Sequence, residues 1–201
     1  MPKQQMIAEL VERVLDGTGL ELAVDTYRLE ENLDGGRVTM SCDVHDAKTG
    51  EKTSIHGSGV GLIDAVFAGL LDRYSGSYPS LNSIRFSDFS IKANVETGDH
   101  DARSDMAAKC ELEILNSDGR SFHFQHASPS ITASSIYVVL GAVEFFVNSE
   151  RAFIAVYRAL QHAKRENRHD SVQAYTAQLS TLVEATSYSE VIEQVKRDEA
   201  Q

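Results

Sequence analysis

The stretch Glu51-Lys52-Thr53-Ser54-Ile55-His56-Gly57-Ser58-Gly59-Val60-Gly61-Leu62-Ile63-Asp64-Ala65-Val66-Phe67 decides the fold, because its hydrophobic period changes part-way along. Residues 51–56 read as a strand. After the glycines, Leu62, Ile63, Val66, Phe67, Leu70, Leu71 and Tyr74 recur at helical spacing on one broad face. Gly57 to Gly61 reads as the loop between them. Upstream, Gly35-Gly36 and Lys48-Thr49-Gly50 supply turns that separate two further strand runs, residues 21–29 and 37–46. Three antiparallel strands present one apolar face, and the helix that follows can cover it. The unit is β-β-β-α.

The same series returns downstream. Ser75-Gly76-Ser77-Tyr78-Pro79-Ser80 is the clearest break in the chain. Beyond it, residues 83–94, 106–116 and 120–127 read as strands, with Asn116-Ser117-Asp118-Gly119 turning between the last two. Ser128 to Ser130 then lead into a helix over residues 131–148. Laid on each other, the halves align Cys42 with Cys110, Gly50 with Gly119, Ile55 with Phe124, Gly59 with Ser128, Gly61 with Ser130 and Leu62 with Ile131. The fold class expected is α+β, two pseudo-symmetric β-β-β-α units with antiparallel sheets covered by helices.

Helices flank this duplicated domain, expected over residues 19–148. Residues 5–16 carry Met6, Ile7, Leu10, Val11, Val14 and Leu15 at helical spacing, closed by Gly17, and form an N-terminal segment 1–18. Residues 149–201 read as a helical extension. There Ser149 is expected to cap a helix bearing Phe153, Val156 and Leu160, and a polar break follows at 164–169. Val172, Tyr175, Leu179 and Leu182 mark a second helix, and Ser187-Tyr188-Ser189-Glu190 opens a last one as a capping box.

Bulk properties bound the function. The 201 residues are 42% hydrophobic and 24% charged, enough for a real core, and the net charge of −11 repels phosphate backbones and anionic membranes. Nucleic-acid and membrane partners are therefore not expected. No stretch reads as the ~18 apolar residues of a membrane helix. Two cysteines in strand-like runs point to free thiols in the cytoplasm.

The junctions resemble a known family. Gly59-Val60-Gly61-Leu62-Ile63-Asp64-Ala65 is similar to Gly-x-Gly-Pro-[Val/Ile]-Asp-Ala of the C-terminal regulatory domain of 2-isopropylmalate and citramalate synthases, the LeuA allosteric or dimerisation domain. Tyr78-Pro79-Ser80-Leu81, continuing to Asp88-Phe89-Ser90-Ile91, resembles that family's stretch after the first unit. Ser128-Pro129-Ser130-Ile131-Thr132-Ala133-Ser134-Ser135 resembles its Ser-x-[Asp/Asn]-Ile-Ile-x-Ala-Ser. The likeness spans roughly residues 21–148. Departures fall at Leu62 for proline, Phe89 for tyrosine, Ser130 for an acidic or amide residue and Thr132 for isoleucine.

The resemblance implies a homodimer holding a small amino-acid effector beside Gly59, Val60, Gly61, Leu62, Asp64, Ser128, Ser130, Ile131 and Ser134. It implies no catalytic barrel in this chain, so the regulated output would lie in a separate catalytic protein. Residue chemistry is compatible: free N–H groups at a helix start favour a carboxylate, and serine hydroxyls add polar contacts. The plainer alternative is that the glycines make a tight turn and the serines cap a helix. The rival function is a ligand-free dimerisation or assembly module.

Catalytic constellations are poor. His123 and His126 point to opposite faces of one strand, Gly98 to Asp101 with Asp105 lacks the glutamate of a calcium loop, and no Gly-x-Ser-x-Gly elbow occurs. His45 beside Asp43 and Asp46 reads as a solvent-facing strand edge. No catalytic residue, metal or cofactor is expected.

Overall fold

The computed structural model describes residues 3–93 and 108–198. In chain order these form α1 (Lys3–Leu15), β1 (Leu22–Asn32), β2 (Arg37–Asp46), β3 (Lys52–Gly59), α2 (Leu62–Tyr74), a 3-10 turn (Pro79–Ser83), β4 (Arg85–Ala93), β5 (Ala108–Leu115), β6 (Ser121–Ser128), α3 (Ile131–Arg165), α4 (His169–Leu182), a second 3-10 turn (Val183–Ala185) and α5 (Tyr188–Asp198). The fold is α+β, with two antiparallel three-stranded sheets ordered β1-β2-β3 and β4-β5-β6. The acidic loop at Gly98 to Asp105 lies outside the described residues.

Strict alternation builds the sheets. In β5 every second residue is buried, with Cys110, Leu112 and Ile114 facing inward. Val38, Met40, Cys42 and Val44 do the same in β2. α2 packs on β2 and β3, α3 packs on β5 and β6, and α1 and α4 lie against α3.

The duplication holds strand by strand. Both first strands carry a bulge at the same place, between Val24 and Thr26 in β1 and between Phe86 and Asp88 in β4. Both second hairpins turn on a glycine at φ +73°, Gly50 and Gly119. The ladder corrects one alignment. Cys42 faces Ile55, whereas Phe124, the equivalent of Ile55, faces Leu112. The first hairpin closes Asp46 onto Glu51 and the second closes Asn116 onto Arg120, one residue shorter. Cys42 therefore corresponds to Leu112, and Cys110 to Met40.

Four further expectations change. α3 runs unbroken through Ser149, which is fully buried mid-helix and caps nothing, so the expected border between residues 148 and 149 falls inside one helix. No glycine or proline interrupts the chain after Gly141, and the apolar stripe continues through Phe146, Phe153 and Val156. The break at 75–80 is no free linker: Ser80 and Leu81 are buried, and the Ser80 N–H donates to Glu150 Oε2 at 2.9 Å. α3 also meets the length and composition of a membrane span, although 56% of its apolar window is buried inside the protein. Finally, His45 lies on the central strand of its sheet, not an edge; its Nδ1 sits 2.8 Å from Oδ1 of Asp25, the bulged residue of β1.

α3 also ties the first unit down by two side chains one turn apart, Glu144 and Asn148. Asn148 brackets the Leu20 peptide, accepting from its N–H at 2.7 Å and donating to its C=O at 2.9 Å. Glu144 accepts the Leu22 N–H at 2.5 Å. Burial pushes the Glu144 carboxyl up to about 7, and the same cause raises Glu150 to about 7.

Candidate functional site

The two strand-to-helix junctions are built differently from their expected form. β3 continues through Gly57 and Ser58 to Gly59, which pairs with Val38, so only Val60 and Gly61 remain as the connection. Close approach explains two of the glycines. A Cβ on Gly57 would lie 1.9 Å from the Ala65 carbonyl oxygen, and one on Gly59 would lie 2.5 Å from Asp64 Cβ. The strand rests on the helix backbone there. Gly61 differs: it is extended, caps α2 without a side chain, and a Cβ would meet nothing within 4 Å.

Around Gly61 the surface is open. Val60 is 82% exposed, Leu62 is half-buried against the core, and Asp64 is an exposed acid in the first turn of α2. Asp64 already places negative charge at this positive helix end. The α2 start thus keeps free N–H groups but less unmet positive potential than a bare helix terminus.

The second junction is closed by its own serines. Ser130 Oγ accepts the Ala133 N–H at 3.2 Å, so this serine caps α3. Ser128 Oγ donates to the Ser130 carbonyl at 2.9 Å and lies 2.8 Å from Ser134 Oγ. Ser134 is wholly buried and donates to the Ala108 carbonyl at 3.1 Å. Ile131, half exposed, stands beside this network. The nine expected residues fall at the two junctions, one group at the open start of α2 and the other closed by its own serine hydroxyls. None of them lines the clefts of about 360, 890, 730 and 310 Å³ that the described residues enclose.

No protein-family model matches the chain, and no curated protein matches it. The site must therefore be judged on its geometry.

That geometry holds features the sequence did not flag. The 890 Å³ groove opens on the helix-facing side of the first sheet, over Leu29, Met40, Gly57 and Ala68. The equivalent space in the second unit is filled, because His126 stacks on Tyr137 with centroids 4.9 Å apart. These two rings occupy the positions of Gly57 and Ala68. Beyond the helices, the inner faces of both first strands remain bare: Tyr27 is 39%, Leu29 41% and Ile91 44% exposed. Tyr27 lies opposite Cys42, Leu29 opposite Met40 and Ile91 opposite Cys110, so all three sit on the core-facing side. Among the described residues no group of three or more His, Cys, Asp or Glu side chains could hold a metal. Both thiols are free and buried, and burial, reinforced by Asp43, pushes Cys42 up to about 11.

Proposed function

We propose that the protein is a non-catalytic, regulatory-type module that acts in the cytoplasm as a homodimer. A second copy covers the bare inner faces of β1 and β4, and an amino-acid-like effector is held where the loop-to-helix junctions meet that copy. The reading rests on one observation: Tyr27 and Leu29 on β1, and Ile91 on β4, expose apolar side chains at matching places in the two units. A strand face that turns apolar groups toward water calls for a cover, and a pseudo-symmetric pair of such faces suits an isologous two-fold contact. Val60 and Ile131 extend the apolar surface to the junctions themselves. Free buried thiols suit a reducing compartment. The regulated output would lie in a separate catalytic protein, in keeping with the synthase regulatory domain that the junction motifs resemble.

Light scattering on the purified chain tests the dimer, which Leu29→Glu combined with Ile91→Glu should convert to a folded monomer. A monomeric unmodified chain would refute the proposal. For the effector, thermal shifts across amino acids and short 2-oxo acids should reveal a stabilising ligand. Gly61→Asp, which places a carboxylate at the open start of α2, should abolish that shift and leave the dimer intact. A ligand-free assembly module is the second reading, and one observation favours it: the hydroxyls of Ser128, Ser130 and Ser134 are already engaged within the chain. A stable dimer with no shift from any of these compounds would select it.

A further inference from the structure

The geometry points to a second ligand site, contained within one protomer and shaped for a small α-amino acid, in the cleft between the β2–β3 hairpin, the end of α2 and the middle of α3. The cleft measures about 360 Å³, at the lower end of the ~300–1,000 Å³ typical of small-molecule sites, and it is lined by Asp46, Glu51, Arg73, Tyr74 and Arg151 among others. Leu22 and Val44 give it an apolar wall.

Two of its charged groups pair with each other. Arg73 approaches Glu51 at 3.7 Å and lies over the Tyr74 ring at 5.1 Å, so these groups satisfy one another. That leaves one cation and one anion. Arg151 is half-buried and has no acidic partner among the described residues. Asp46 uses Oδ1 to accept the Lys48 N–H at 2.9 Å, and its Oδ2 has no such duty. A guanidinium fork matches a carboxylate with two parallel hydrogen bonds, and a lone carboxylate oxygen accepts from an ammonium. A small amino acid, which carries both groups and can set an apolar side chain against Leu22 and Val44, complements this lining. A plain anion would leave Asp46 unmatched, and a plain cation would leave Arg151 unmatched.

The location gives such a ligand leverage. The hairpin belongs to the first unit, and Ser77 and Tyr78, also on the lining, belong to the connection between the units. Arg151 follows Glu150, which grips that connection at Ser80. A bound amino acid would therefore bridge the first sheet, the inter-unit segment and the central helix. This site is independent of the dimer-interface site proposed above.

The test is isothermal titration calorimetry of the full chain with each of the twenty proteinogenic L-amino acids. At least one should bind. For the tightest, Arg151→Gln and, separately, Asp46→Asn should each weaken binding at least ~10-fold, the scale of a lost charge-assisted contact. In the monomeric Leu29→Glu/Ile91→Glu chain, where the interface site cannot form, this binding should persist at the same affinity. The inference is overturned if none of the twenty binds, or if both Arg151→Gln and Asp46→Asn leave the affinity unchanged. Binding lost in Gly61→Asp and in the monomer, but kept in Arg151→Gln, would overturn this site while upholding the interface site.

Discussion

Glu150→Gln should make the protein more stable at neutral and alkaline pH, and should leave it unchanged in acid. Glu150 is fully buried in α3; its Oε2 accepts the Ser80 N–H, and its Oε1 meets no donor. Burial raises its carboxyl from 4.5 to about 7, and Glu190 on α5 adds in the same direction, while the hydrogen bonds to Ser80 oppose them. The sign follows from proton counting. Between pH 4.5 and about 7 the folded chain keeps a proton that the unfolded chain has released, so stability falls as pH rises through that window. At about 1.4 kcal/mol per pH unit, the loss complete above pH ~7 is on the order of 3 kcal/mol.

Glutamine reproduces the neutral acid in shape and in its carbonyl acceptor, and it does not titrate. The difference between variant and wild type should therefore be near zero below pH ~4.5 and on the order of 3 kcal/mol in the variant's favour above pH ~8. For a chain of this length that corresponds to a gain of about 6–12 °C in Tm. Urea unfolding followed by circular dichroism, repeated across pH 4 to 9, reads it directly. Taking the difference cancels the other carboxylates, which titrate alike in both chains. Glu144, raised to about 7 as well, should keep a residual slope in the variant. A difference that does not change with pH would refute the reasoning, because it would mean Glu150 titrates alike in the folded and unfolded states.

Gly57→Ala should cost about 3 kcal/mol or more, since its methyl would meet the Ala65 carbonyl oxygen at 1.9 Å and the Gly69 nitrogen at 2.7 Å, both backbone atoms. Gly61→Ala, with nothing within 4 Å, should cost under about 1 kcal/mol in the same denaturation assay. Asn148→Ala removes both side-chain bonds to the Leu20 peptide and should lower stability by about 1–3 kcal/mol, read as a lower urea midpoint at unchanged slope. Cys42 and Cys110 are 2% and 0% exposed, so an aromatic disulfide reagent at pH 8 should label neither thiol faster than the chain opens. Adding denaturant should release both at once.

Much of this architecture is legible in the sequence because local signals agree there. Alternation in β2 and β5, glycines at the hairpin turns, and the change of period after Gly61 all point the same way. What was not legible depends on partners distant in sequence. Ser149 looks like a cap because serine favours that position, yet the apolar stripe on both sides keeps the helix running and buries it. Ser75 to Ser80 looks like a linker by composition, and only the carboxyl of Glu150, seventy positions away, makes its end part of the core. The carboxyls at 144 and 150 were the available hint, being charged residues set in an otherwise apolar run. The clefts could not be read at all, since each is walled by elements brought together only by folding.

The asymmetry between the two units bears most on function. Gly57 lets α2 rest directly on β3, while its equivalent, His126, stacks on Tyr137, the equivalent of Ala68. The second unit thereby fills from within the space that the first leaves as a groove of about 890 Å³. At the helix starts the contrast runs the same way. α3 is capped by Ser130, whereas α2 begins at Gly61 with no side-chain cap and a free approach. Both differences leave the first unit's sheet-to-helix junction open and the second's closed. A duplicated fold would offer two equal sites per chain only if its halves had kept equal linings, and these have not. Any ligand or partner surface that engages the junctions therefore meets two unequal linings.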